Sequence, residues 1–140
     1  MINLPVALIA AFSAMLIGQT WKVVRPIFRG SPPVLKNFLQ SGGFPSSHTA
    51  ATASMAVTIA LREGFSSSLF ALAAVLTGLV AHDAVKVRGT INSLVNILRR
   101  LDPGEETAKL PDTVGHTVGE VIAGFVLSGA VGALCHWILP

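Results

Sequence analysis

Residues 114–138 read VGHTVGEVIAGFVLSGAVGALCHWI, and beyond Glu120 the stretch holds no Asp, Glu, Lys or Arg. A run of this length and apolarity is enough to cross the hydrocarbon core of a bilayer. In lipid a helix is the economical backbone, because it satisfies its own N–H and C=O groups. His116 and Glu120 stand four residues apart at the start of the run, a spacing that sets both on one helix face. A carboxylate beside an imidazole fixes its tautomer and leaves the other ring nitrogen as nucleophile or base. The alternative is a His–Glu pair that only ties helices together. Gly124, Ser128 and Gly132 continue the stripe, and residues this small let a neighbouring helix approach closely.

Working outward, three more apolar segments precede this one. The first runs from about Leu4 to Val24, the second from about Ser46 to Leu61, and the third from Leu69 to about Val87. Charged residues make up 12% of the chain and hydrophobic residues 51%, with a mean hydropathy of +0.66. A soluble domain would carry roughly 25% charged residues. The reading is an all-α, polytopic transmembrane helical bundle of about four spans, forming one domain over residues 1–140. Two connections supplement the spans. Pro26 to Phe44 contains Pro32-Pro33 and Gly42-Gly43 and reads as an irregular or partly re-entrant loop. Arg88 to Thr113 opens with Ile91, Leu94, Val95, Leu98 and Leu101 at helical spacing, the mark of a short amphipathic helix in the interface plane. Met1 to Pro5 carries no Lys or Arg, so the first segment reads as retained rather than as a cleaved signal. The single Cys135 excludes an intramolecular disulfide.

Charge orients the bundle. With alternating crossings, Lys22, Arg25, Arg29, Lys36, Lys86, Arg88, Arg99, Arg100 and Lys109 fall on the side of the two long connections, and only Arg62 falls opposite. That side is expected to be cytoplasmic, or stromal in a plastid, and both termini outward. An integral protein of a bacterial inner membrane or a plastid membrane fits this pattern. The basic residues sit at segment ends rather than in a patch, so no nucleic-acid partner is expected.

The same topology gathers the reactive side chains at one face. Ser41-Gly42-Gly43-Phe44-Pro45-Ser46-Ser47-His48 sets glycines before a Ser-rich helix start, where N–H groups, hydroxyls and the helix dipole all favour an anion. An ordinary Ser cap is the plainer reading. Lys22 and Arg88 add fixed positive charge: Arg88 as a two-pronged phosphate grip, Lys22 as a point charge. Each could instead only reach out to lipid headgroups. Arg25, Arg29, Arg99 and Arg100 are assigned to that second role. Asp83 is a partner for Lys22 or Arg88, and His82 beside it points roughly 100° away around the helix.

These motifs, with Asp83-Ala84, Val87-Arg88, Gly115-His116-Thr117, Glu120-Val121 and Gly124, resemble the divergent branch of the type 2 phosphatidic acid phosphatases, the acid phosphatase/vanadium-dependent haloperoxidase-related membrane proteins. The resemblance spans nearly the whole chain. It implies a phosphatase that uses no metal or other cofactor and works through phosphohistidine. By that analogy His116 is the nucleophile, Glu120 its carboxylate partner, and His48 the acid that protonates the leaving alcohol. Ser46, Ser47, Gly43 and nearby amides would hold phosphate oxygens, with Lys22 and Arg88 as the cationic clamp and Asp83 in support. Ser47 stands where the wider superfamily has Gly, and Glu120 where it has Asp. Residues 86–99 depart from the branch's pattern. Four spans against the usual six imply a homodimer that completes the bundle.

The function expected from this resemblance is hydrolysis of a phosphomonoester on a lipid, phosphatidylglycerophosphate- or phosphatidate-like, whose tail stays in the bilayer. An alternative is a catalytically inactive membrane protein that binds anionic lipid heads or phosphate with the same cradle. A third reading, a metal site of His48, His116, Glu120 and Asp83, is opposed by Lys22 and Arg88, which would repel a cation.

Overall fold

Pro5 leads into the first helix with φ −56°, and α1 spans Val6–Val24. In the computed structural model, which describes residues 5–35, 38, 42–111 and 114–140, the buried face of α1 is Ala10, Ala14, Gly18 and Lys22. That spacing of four keeps small side chains on one ridge and ends it with a lysine. A tight 3-10 turn, Arg25–Arg29, follows and closes on Gly30 in the left-handed region at φ +74°. Leu4, Lys36 and Ser41 lie outside the described residues.

The second helix, α2, spans Ser47–Glu63 and ends at Gly64, φ +87°. The Ser67 hydroxyl accepts from the Phe70 N–H at 3.0 Å and so starts α3, Ser68–His82. A π-helical turn, Asp83–Val87, carries α3 into α4, Arg88–Leu101. A single turn, α5 (Glu105–Ala108), precedes α6, Val118–Ile138. Among the described residues there is no strand, and the fold is all-helical.

Helix α2 is the centre of the bundle, packed against α1, α3 and α6. Its closest neighbour is α6, and the small-residue stripe explains why. A Cβ on Gly124 would lie 2.7 Å from the Ser46 carbonyl oxygen, and one on Gly132 would lie 2.9 Å from both Ser54 O and Val57 Cβ. Ser128, between them, is buried. Gly18 serves α1 in the same way, with Ser47 Cβ 3.1 Å from where its own Cβ would be.

Among the described residues, three helices are long and apolar enough to cross a membrane: Val6–Phe28, Ser68–Leu101 and Val118–Ile138. The second expected span, α2, is not among them. It has 17 residues and carries Thr49, Ser54 and Thr58 fully buried. A helix enclosed by other helices need not be apolar, because its polar groups find protein partners. Thr58 donates to Ser54 O at 2.8 Å and to Gly132 O at 3.3 Å.

Two boundaries differ from the sequence reading. No break separates the third segment from the amphipathic one: α3, the π turn and α4 form one continuous helix of 34 residues. At 1.5 Å per residue it is about 51 Å long, well beyond a hydrocarbon core of about 30 Å. The helix of the fourth apolar segment, α6, starts at Val118 rather than about Val114, because Thr117 caps it: its hydroxyl accepts from the Glu120 N–H, and the Glu120 carboxylate accepts from the Thr117 N–H. His116 therefore stands just outside the helix rather than on its face.

Candidate functional site

The site is assembled by backbone contacts between elements far apart in the chain. The π turn comes first. One residue more per turn leaves a carbonyl out of the α-helical ladder, and Ala84 O accepts the N–H of His116 at 2.9 Å. About two turns beyond Ala84, Asn92 Oδ1 accepts from the N–H groups of Val114 at 2.7 Å and Gly115 at 3.3 Å. Three consecutive N–H groups, 114–116, are thereby fastened to the helix that carries Asp83 and Arg88. Gly115 makes this possible. A Cβ there would lie 2.6 Å from the Arg88 carbonyl carbon and the Gly89 nitrogen, so only glycine permits the contact.

The start of α2 is fastened to the same place. Ser46 donates its N–H to Glu120 O at 2.9 Å, across the gap opened by Gly124. Lys22, at the end of the buried α1 ridge, donates to Ser47 Oγ at 3.3 Å. Lys22 is 6% exposed, and Ser46 and Ser47 are fully buried. Ser46 Oγ and Thr49 Oγ1 share a hydrogen bond of 2.9 Å.

At the centre of these contacts His116 Nδ1 lies 3.2 Å from Glu120 Oε2, with the His116 side chain only 1% exposed. Glu120 thus holds two groups at once: the imidazole and, at 3.0 Å, the Thr117 N–H. The catalytic and the helix-tying readings of this pair are compatible, since one carboxylate serves both. With Nδ1 turned to Glu120, the Nε2 atom is on the opposite side of the ring. His48, in the first turn of α2, lies in the field of Arg88, Lys22 and His116, and Lys22 lies in that of Glu120. His48 Nδ1 is buried with no hydrogen-bond partner among the described residues. Arg88 Nε meets Asp83 Oδ2 at 2.7 Å, which settles Asp83 on Arg88 as its partner. The bond uses Nε, and the terminal nitrogens carry four further N–H donors.

Lys22, Ser46, Ser47, His48, Arg88, His116 and Glu120 therefore converge, with Asp83 attached through Arg88. Gly43 is different: it takes φ +90° with open space around its Cβ position, and its part is to turn the chain before Pro45. The Ser46 N–H is also not a ligand donor here, because it already bonds Glu120 O. His82 is exposed, and none of the contacts that assemble the cluster involves it. His136 lies near the opposite end of α6, edge-on to Trp137. Arg99, assigned above to lipid headgroups, instead donates to Thr107 O at 3.3 Å and Leu110 O at 2.6 Å and pins the turn around α5. Arg25 lies over the Phe44 ring, 5.6 Å from its centroid.

Sequence reasoning passed over three participants. Thr117 was legible, since Thr117-x-x-Glu120 has the spacing of a capping box. Asn92 and the Ala84 carbonyl carry no local signal, as their partners are distant in sequence.

Comparison with known proteins gives a consistent picture. The family model described as the Divergent PAP2 family matches residues 5–131. The chain is 29% identical, over 94% of its length and 92% of the relative's, to YuiD of Bacillus subtilis (strain 168), described as an uncharacterized membrane protein. No solved structure matches the chain.

Proposed function

Since the chain belongs to the Divergent PAP2 family, we propose that it is a membrane-embedded lipid phosphate phosphatase with His116 as its nucleophile. The chain is an integral membrane protein, with three helices suited to crossing and a membrane-protein relative. In the proposed topology α2 makes the fourth crossing inside the bundle, and the Lys22–His48–His116 end faces the cytoplasm or stroma. The excess of Lys and Arg at that end supports this orientation.

The observation that carries the reading is the 3.2 Å contact between His116 Nδ1 and Glu120 Oε2 beside two buried or half-buried cations, Lys22 and Arg88. In the proposed reaction His116 Nε2 attacks the phosphorus of a phosphomonoester. A P–N bond forms as the P–O bond to the lipid alcohol breaks. His48 gives a proton to the departing oxygen. Water, deprotonated by the same imidazole, then attacks phosphorus, breaks the P–N bond and releases inorganic phosphate. Glu120 stabilises the charge that builds on His116, while Lys22 and Arg88 offset the equatorial oxygens.

The test is phosphate release from phosphatidate or phosphatidylglycerophosphate in detergent with a chelator present. His116→Ala should abolish release, and acid-labile phosphate should be trapped on the unsubstituted chain. Release that continues in His116→Ala rules the mechanism out. A second reading, anionic-lipid binding without turnover, is favoured by the Asp83–Arg88 pair, which already occupies part of the clamp. It requires lipid phosphate binding with no phosphate released.

A further inference from the structure

A groove of about 540 Å³ runs between α1 and α6. Ile17 and Trp21 form one wall, Ala123 and Ala130 the other, and Phe44 and Pro45 the roof. Both walls belong to helices long and apolar enough to cross the membrane, so its open side faces acyl chains rather than water. The roof is continuous with the polar site. Pro45 immediately precedes Ser46, and Gly18, which also lines the groove, lies against Ser47, the residue bonded to Lys22. The rim carries a cation, since the Arg25 guanidinium sits over Phe44.

We propose that this groove holds an acyl chain of the lipid whose phosphate lies at the Lys22–Ser47 end, so that α1 and α6 orient the tail of a substrate anchored by its phosphate. The proposal rests on the phosphatase reading for the headgroup alone. An anionic head at a cationic, hydroxyl-lined end joined to an apolar chain beside it matches the amphiphilic layout of the site. A helix of a second copy would match the groove but not the polar end. The groove contributes orientation rather than affinity. Lipid tails are as apolar as the groove walls, so a chain gains little by leaving the bilayer for it. Any preference must come through the phosphate, which holds the chain in place.

Trp21 reports on the groove directly. The chain has two tryptophans, and Trp137→Phe leaves Trp21 as the single emitter. The protein is reconstituted in phosphatidylcholine vesicles containing a small fraction of chain-brominated lipid. The guest is either brominated phosphatidylcholine or a brominated phosphonate analogue of phosphatidate, which no phosphatase can cleave. The phosphonate lipid should quench Trp21 severalfold more than the choline lipid, and Ala123→Phe and Ala130→Phe should each remove the excess. Equal quenching by the two lipids overturns the proposal, and that comparison needs no substitution in the groove. An excess that survives both filling substitutions also overturns it, as does absence of quenching by either lipid, the result expected if a second copy covers the groove. The enzyme reading fails separately. Excess quenching without phosphate release keeps the groove and removes the enzyme, and release with equal quenching does the reverse.

Discussion

Helices α2 and α3 differ in almost every respect that a hydropathy reading registers, and the less membrane-like one is the better buried. Helix α2 has no exposed residue before Leu61, and its interior holds Thr49, Ser54 and Thr58. Helix α3 buries only Ala73 and Thr77, leaving Leu69, Leu72, Val75, Leu76 and Leu79 exposed. Apolar side chains mark what faces lipid, whereas small and hydroxyl-bearing ones mark where helices meet. The candidate site follows the second rule: Ser46, Ser47 and His48 cap and open the central helix, and the elements around it deliver Lys22, His116 and Glu120.

The strongest way to break this contrast is to add bulk to the α2–α6 seam. Gly124→Val should be the most damaging substitution, costing about 3 kcal/mol or more, because its Cβ would meet Ser46 O at 2.7 Å. It should also lower phosphate release through the displaced Ser46–Glu120 bond. Gly132→Val crowds the same seam two turns away; it should lower thermal stability in detergent comparably while leaving more of the remaining folded protein's activity. Stability and specific activity measured on both variants separate seam from site. If Gly124→Val is as stable as the unsubstituted chain, the close approach is wrong.

The contrast also explains how much was legible beforehand. Long lipid-facing runs declared themselves, as did the Gly124–Ser128–Gly132 seam, because periodicity and residue size are local properties. The start of α6 was misplaced by four residues because the run of apolar composition extends past Thr117, whereas the helix begins where a side chain can cap it. The sequence pattern sets the end of the third segment at about Val87 and a separate amphipathic helix from Arg88, because the apolar spacing changes there. The chain instead widens by a π turn and stays helical, and the displaced carbonyl of Ala84 accepts from His116. His116, Glu120, Lys22 and Ser47 were visible as residue types at matching depths. The fastening of residues 114–116 to Asn92 was not, since nothing near Asn92 announces a partner 22 residues away.

Asn92 sharpens the comparison at the site itself. Asn92→Ala leaves the Val114 and Gly115 N–H groups without their acceptor, at a cost of about 1–3 kcal/mol. The loop that positions His116 should loosen, which predicts faster amide exchange at 114–116 and a fall in phosphate release larger than the fall in stability. Unchanged exchange there would mean that the Ala84 carbonyl alone holds the loop.

A smaller pair of effects separates the two duties of Glu120. Thr117→Ala removes the cap hydroxyl but keeps the carboxylate beside His116, so stability should drop by about 1 kcal/mol with most activity retained. Glu120→Gln keeps a side chain that can still accept from the Thr117 N–H but removes the negative charge opposite His116. Activity should then fall much further than stability. Equal losses of activity in the two variants would reduce the His116–Glu120 contact to a helix tie.

The smallest effect belongs to α3 and has the opposite sign. Gly78 sits in the middle of that helix with nothing within 4 Å of where a Cβ would stand. Alanine there loses less backbone freedom on folding than glycine, by about 1 kcal/mol, and it meets no neighbour that must move. Gly78→Ala should therefore raise the melting temperature slightly and leave phosphate release unchanged. The same one-methyl change at Gly124, against the Ser46 carbonyl, should lower both. A stabilised Gly124→Ala or a destabilised Gly78→Ala would reverse the assignment of crowded and open helix faces on which the convergence at His116 depends.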